Sequence, residues 1–191
     1  MGRIQTLIKG VYAGFMIGIG GMVYLSAESK TVGSLLFSFG LLTIVTQGFF
    51  LYTGKIGFVK SVKELPDMGI IILGNYAGTY VAALLARLAN VNISTVQLAE
   101  KKLGAAVPSV FFLSVLCGIM MYLAIDNYNK SKNIVFIIAP VMIFILSGFE
   151  HSVANMFYFH LAGAYSLRAF AYLLVMAAGN GIGAKIFSLK P

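Results

Sequence analysis

The chain has 191 residues, of which 59% are hydrophobic and only 10% charged, with a mean hydropathy of +0.90. So little polar surface excludes a water-soluble globule, and the length leaves room for about six membrane spans of roughly 20 residues, with no separate soluble domain. The formal charge of +8 points to lipid headgroups and away from nucleic acid, because the lysines stand singly or in pairs between apolar runs and build no basic face.

The apolar runs extend from Gly10 to Ala27, Val32 to Gly54, Met68 to Ala86, Leu103 to Ile125, Ile134 to Phe159 and Leu161 to Ala184. They predict an all-α membrane protein of six helices in a single transmembrane domain, 1–191. The first run follows Arg3 and Lys9 as a signal peptide would, yet it is long and leads into five more, so it reads as a retained helix. Its Gly10, Gly14 and Gly18 recur every four residues and lay a smooth strip where another helix can approach. Cys117 lies alone in the fourth run and reads as a small buried hydrophobe. The fifth and sixth runs are interrupted by Glu150, His151, His160 and Arg168, with their boundary expected near Gly163.

Lysines and arginines collect on the cytoplasmic side of a membrane protein. With the N-terminus inside, that side holds Arg3, Lys9, Lys55, Lys60, Lys63, Lys130, Lys132, Lys185 and Lys190, against Lys30, Arg87, Lys101, Lys102 and Arg168 on the other. The expectation is an integral membrane protein with both termini cytoplasmic.

The two halves also repeat. Gly48-Phe49 in the second run returns as Gly148-Phe149 in the fifth, and Gly74-Asn75-Tyr76-Ala77-Gly78 in the third returns as Gly179-Asn180-Gly181-Ile182-Gly183 in the sixth. Three helices per half make the second copy enter the membrane in the opposite sense, with pseudo-repeats at about 1–90 and 103–191, the arrangement in which solute paths form at the repeat interface.

The most unusual segment, Ser147 to Phe157, places Glu150, His151, Ser152 and Asn155 in a stretch that must cross hydrocarbon. Ionisable groups at that depth are costly unless they face partners or a wet cavity, which makes the cluster either a functional path or a network tying helices together. The second run is its counterpart. Gly48 and Thr53-Gly54 permit a helix break at depth, where irregular backbone must be buried in protein or line a cavity. If both central helices are broken and meet, Thr53 comes within hydrogen-bonding reach of His151; the other reading of Thr53 is a helix cap.

The run from Gly148 to Phe157 closely resembles the signature of the formate/nitrite transporter family. The Leu51-Tyr52-Thr53 loop, the Gly-Asn-x-x-Gly elements and Leu123-Ala124-Ile125 at the end of the fourth run resemble that family in the same order. The resemblance implies an aquaporin-like inverted repeat with broken second and fifth helices. It also implies a homopentamer in a prokaryotic inner membrane, each protomer passing a small monovalent anion or its conjugate acid. It makes His151 the central pore histidine, Thr53 its hydrogen-bonding partner and Lys102 the lysine that attracts anions. Phe37, Leu41, Leu51, Tyr52 and Phe144 then build the apolar constrictions, with Glu150 and Asn155 beside the path. Gly118 stands where relatives often carry a pore asparagine, a change expected to widen the path.

An anion loses hydration worth many kcal/mol in an apolar constriction, so a cation or a proton must offset the loss. Two schemes fit the residues: proton transfer from His151, which lets a weak acid cross neutral, or a neutral imidazole that only hydrogen-bonds. The alternative function is a neutral-solute, aquaporin-like pore, but none of Pro66, Pro108, Pro140 and Pro191 sits in an Asn-Pro-Ala element. An enzyme is not expected: two histidines and one cysteine, scattered as they are, make neither a metal site nor a nucleophile constellation, and no cofactor is implied.

Overall fold

The computed structural model describes residues 2–91, 93 and 95–189. Lys190, assigned by the loop charges to the cytoplasmic side, lies outside them. In chain order the described residues form α1 (Arg3–Ser26), α2 (Lys30–Thr46), α3 (Tyr52–Lys55), α4 (Leu65–Leu88), α5 (Val96–Gly104), α6 (Val107–Ser131), α7 (Val135–Leu146), α8 (Ser152–Ala162) and α9 (Leu167–Ser188). Short 3-10 turns at Ile56–Phe58 and Val62–Glu64 join α3 to α4. Helices α1, α4, α6 and α9 are long and apolar enough to cross a membrane, while α2 and α7 are apolar but shorter.

Local chemistry sets the boundaries. The Ser29 hydroxyl accepts the Val32 amide at 3.3 Å to start α2, and Ser166 accepts the Ala169 amide at 3.1 Å to start α9. Pro66 and Pro108 stand in the first turns of α4 and α6, where a missing N–H costs nothing. Gly163, at φ 69°, ends α8 in the left-handed conformation, at the boundary expected between the fifth and sixth runs. Helix α5 departs from expectation: its Gln97, Glu100, Lys101 and Lys102 hide it from a hydropathy reading, which merged its end with the fourth run.

The second and fifth runs each hold two helices separated by five residues, and the two separations are built alike. Gly48 (φ 66°) and Gly148 (φ 70°) follow the ends of α2 and α7. The Gly48 amide donates to Val45 at 3.3 Å and Phe49 to Ile44 at 2.9 Å; Gly148 donates to Ile145 at 3.1 Å and Phe149 to Phe144 at 2.9 Å. Both are Schellman motifs, which need a residue at positive φ and so favour glycine. The chain then pairs with the first helix of its own half, Phe50 donating to the Lys9 carbonyl at 3.1 Å and Glu150 to the Leu113 carbonyl at 3.3 Å.

Asn75 and Asn180 complete each break. The Asn75 carboxamide accepts the Tyr52 amide at 2.8 Å and donates to the Phe50 and Gly10 carbonyls, both at 2.8 Å. Asn180 accepts the Ser152 amide at 2.9 Å and donates to the Glu150 and Ser114 carbonyls, both at 2.8 Å. In each half one amide and one carbonyl outside the helical ladders are thus satisfied by a single buried side chain, as a low-dielectric interior requires.

Close helix packing brings those amides within reach. Helix α1 lies along α4 and α6 along α9. A Cβ at Gly14 would strike the backbone of Asn75, and one at Gly118 the backbone of Asn180; Gly78 and Gly183 meet the carbonyls of Val11 and Val115 in the same way. Gly118 is therefore the partner of Gly14 in the repeat, a point of helix contact. This corrects the expectation that its missing side chain widens a path, because the space beside it is filled by helix α9.

Candidate pore site

The N-terminal ends of α3 and α8 meet at Thr53 and His151. Thr53 stands in the single turn of α3 and His151 at the N-cap of α8, and both are buried. Thr53 Oγ1 lies 2.9 Å from His151 Nε2. The Ala154 amide donates to His151 Nδ1 at 3.1 Å, so Nδ1 accepts, and in the neutral ring Nε2 carries the proton and donates to Thr53. One imidazole thereby caps α8 and bridges the two halves of the chain.

Aromatic rings stack beside it. Phe144 lies nearly parallel to the imidazole at 5.4 Å between centroids, and Phe37 meets Phe144 edge-on at 6.1 Å. Phe37 and Leu41 are each 1% exposed. Two cavities with no lining residue in common adjoin this layer. The first, of about 380 Å³, is lined by His151, Phe144, Glu150, Asn155, Lys102 and Tyr158 among others. The second, of about 120 Å³, includes Leu41, Leu51, Gly54, Lys55, Ile125 and Asn129 in its wall.

Lys102 is not a bare charge. Its ammonium is 2.6 Å from Glu150 Oε2, which also accepts the Asn155 carboxamide at 2.8 Å; that carboxamide donates in turn to the His151 carbonyl at 3.0 Å. The carboxylate thus ties α5 to α8, and it lines the same cavity as His151. The Asn155 Oδ1 atom is buried without a partner among the described atoms, an acceptor left over at the cavity wall.

Tyr52 stands apart from its expected place in a constriction. Its hydroxyl donates to the Ala177 carbonyl of α9 at 3.1 Å, and its ring lines a groove of about 470 Å³ with Ile56, Val62, Leu65 and Ile182, away from both cavities. The side chain follows the direction of the α3 turn, which faces Thr53 inward and Tyr52 toward α9. Phe144 lines the first cavity and Leu41 and Leu51 line the second, while Phe37 lines neither and packs edge-on against Phe144. Sequence reasoning missed Asn75 and Asn180 as the braces of the breaks, although their recurrence in the repeat carried the signal, and it missed Lys55 as a cavity residue. Among the described residues no cluster of ligating side chains suits a metal ion.

The matches to known proteins agree with this architecture. Residues 1–189 match the family model described as formate/nitrite transporter. The formate channel FocA of Haemophilus influenzae is 26% identical over 182 residues, covering 80% of this chain; the chain spans 64% of that relative's length. The nitrite transporter NirC of Salmonella typhimurium is 27% identical over 213 residues, covering 96% of this chain and 79% of the relative. In fold, the chain superimposes on a solved structure described as a pentameric formate channel with formate bound, at a TM-score of 0.83 and 20% identity, over 97% of this chain and 94% of the other. A second, described as an FNT family ion channel, gives 0.82 and 24% over 97% and 86%. With helices fit to span a bilayer and a family of transporters and channels matched over nearly its whole length, this integral membrane protein belongs to the formate/nitrite transporter family.

Proposed function

We propose that the protein is a channel or proton-linked transporter for small monovalent anions of weak acids, such as formate, nitrite or hydrosulfide. One observation carries the reading: the Thr53–His151 hydrogen bond joins the N-terminal ends of α3 and α8 in a buried layer adjoined by two cavities. In this reading α2 with α3, and α7 with α8, each make one broken span, giving six spans in an inverted repeat of about 1–90 and 103–191. The protomers assemble as a homopentamer in a prokaryotic inner membrane, with both termini cytoplasmic and lysines and arginines concentrated on that side.

His151, Thr53, Phe37, Leu41, Leu51, Phe144, Asn155, Glu150 and Lys102 form or support the path. The anion gathers in the larger cavity, where Lys102 supplies positive potential tempered by Glu150, and must then shed water to pass Phe144 and Phe37. A solute hydrogen-bonded to the Thr53 hydroxyl would be joined through Oγ1 to the His151 Nε2–H. The Ala154 amide on Nδ1 favours the scheme in which the imidazole stays neutral, since a proton arriving at Nδ1 would break the α8 cap. A weak acid takes its proton from solvent in that case, crosses neutral and ionises beyond the layer.

The test is flux of formate, nitrite, acetate and hydrosulfide into vesicles holding the purified protein, across a range of pH, with glycerol as the neutral control. Anion-linked uptake that rises as pH falls is the expected result. Glycerol passing as fast as formate would replace this reading with the neutral pore, and undiminished flux in a folded His151→Ala variant would remove the histidine from the path.

A further inference from the structure

The repeat makes the two mouths of the path comparable position by position, and they differ in charge. Counting from the paired glycines Gly48 and Gly148, Phe50 occupies the place of Glu150 and Lys55 the place of Asn155. Around Glu150 the charge is answered: Lys102 binds its carboxylate at 2.6 Å. Around Phe50 it is not. The Lys55 ammonium lies 4.5 Å from the centre of the Phe50 ring and the Lys9 ammonium 5.0 Å from the same ring. Neither lysine joins an ion pair among the described residues, whose two pairs are Lys102–Glu150 and Lys130–Asp126.

The break itself fixes this arrangement. The Phe50 amide donates to the Lys9 carbonyl and the Phe50 carbonyl accepts from Asn75, which holds the Phe50 backbone beside α1 and places its ring within reach of both lysines. An aromatic face attracts each cation without neutralising it, and two like charges held about one ring repel each other. Lys55 and Asn129 both border the cavity of about 120 Å³, space for roughly four waters or for an anion of a few heavy atoms. Leu51 and Leu41 form its apolar floor toward the buried layer.

We propose that Lys55, with Lys9 adding positive potential and the Asn129 carboxamide available as a hydrogen-bond donor, forms a binding site for a small monovalent oxyanion at the mouth opposite Lys102. The proposal deepens the transport reading and rests on it for the passage of the bound anion, but not for the binding. An uncompensated cation at one mouth and a neutralised one at the other make capture unequal: an anion entering from the Lys55 side saturates the path at lower concentration.

The experiment uses the full chain in vesicles with one orientation selected, measuring formate entry from each side. In Lys55→Gln the half-saturating concentration on the Lys55 side rises by roughly threefold, the scale of one solvent-exposed charge pair, while that on the other side is unchanged. The difference shrinks as ionic strength rises, and Lys55→Arg restores most of the wild-type value. Equal shifts from both sides, or none, overturn the proposal. A second readout separates binding from transport: nitrite or formate should raise the melting temperature of the detergent-purified wild type, and Lys55→Gln should lose that increment. A wild type that carries no anion yet keeps this Lys55-dependent stabilisation would sink the transport reading and leave the site standing; a stabilisation that Lys55→Gln retains overturns the site.

Discussion

At His151 the chemistry is set by a third group. The Ala154 amide occupies Nδ1, so the proton sits on Nε2 and points at Thr53. Thr53→Val should therefore do more than remove a hydroxyl: it leaves a buried N–H without an acceptor, at a cost of about 1–3 kcal/mol, and lowers the melting temperature. Thr53→Ser should keep both stability and flux, which distinguishes the hydrogen bond from the volume of the side chain. At Glu150 the expected result is a loss on the order of 3 kcal/mol in Glu150→Ala, since Lys102 would keep its charge in a half-closed cavity without a counter-ion. Chemical unfolding of the purified variant measures it. The restoring change is the double variant Glu150→Ala with Lys102→Met, which should recover most of the stability.

The elements are joined by the two asparagines and the glycines that let them in. Asn75→Ala and Asn180→Ala each strip the side-chain partner from one amide and one carbonyl at the start of α3 or α8, and a further bond from a carbonyl within α1 or α6. The expected penalty is roughly 3 kcal/mol or more in either variant, nearly equal in the two because the geometry is repeated. A large difference between them, measured by thermal unfolding, would contradict the equivalence of the halves. Gly118→Asn tests the same architecture from the other side. A side chain there meets the Asn180 backbone, so the variant should express poorly or separate α6 from α9, as Gly14→Asn should separate α1 from α4. A stable Gly118→Asn protein with narrowed selectivity would restore the pore role that the family resemblance suggested.

For the whole molecule, much was legible in the sequence and some was not. The apolar runs gave the helices because hydrocarbon tolerates few other backbones, and Gly-Phe and Gly-Asn recur in the two halves, although the bracing role of the two asparagines went unread. The segment Glu150 to Asn155 stood out because polar groups at that depth need a reason. What a linear reading missed depends on direction. Tyr52 and Thr53 are neighbours, yet one ring turns to the Ala177 carbonyl while the other hydroxyl meets His151. Gly118 looked like an absence in a path and is a contact between helices. Lys55 looked like one more loop cation and stands at a cavity mouth. The same scale carries a prediction for assembly: cysteines introduced at Arg3 and Lys132 should react only from the cytoplasm and one at Arg168 only from outside, with mass measurement giving five copies per particle.

The sequence by itself determined the solvent, the helical class and the family, because hydropathy, glycine spacing and short motifs are properties of neighbours along the chain. Only the tertiary structure decided which residues line the cavities, that Lys102 is already neutralised, and that Tyr52 turns away from Thr53 toward α9. Those facts depend on side chains from elements 98 and 48 residues apart meeting in space, where a hydrogen bond of 2.9 Å or an ion pair of 2.6 Å is a matter of angle and depth.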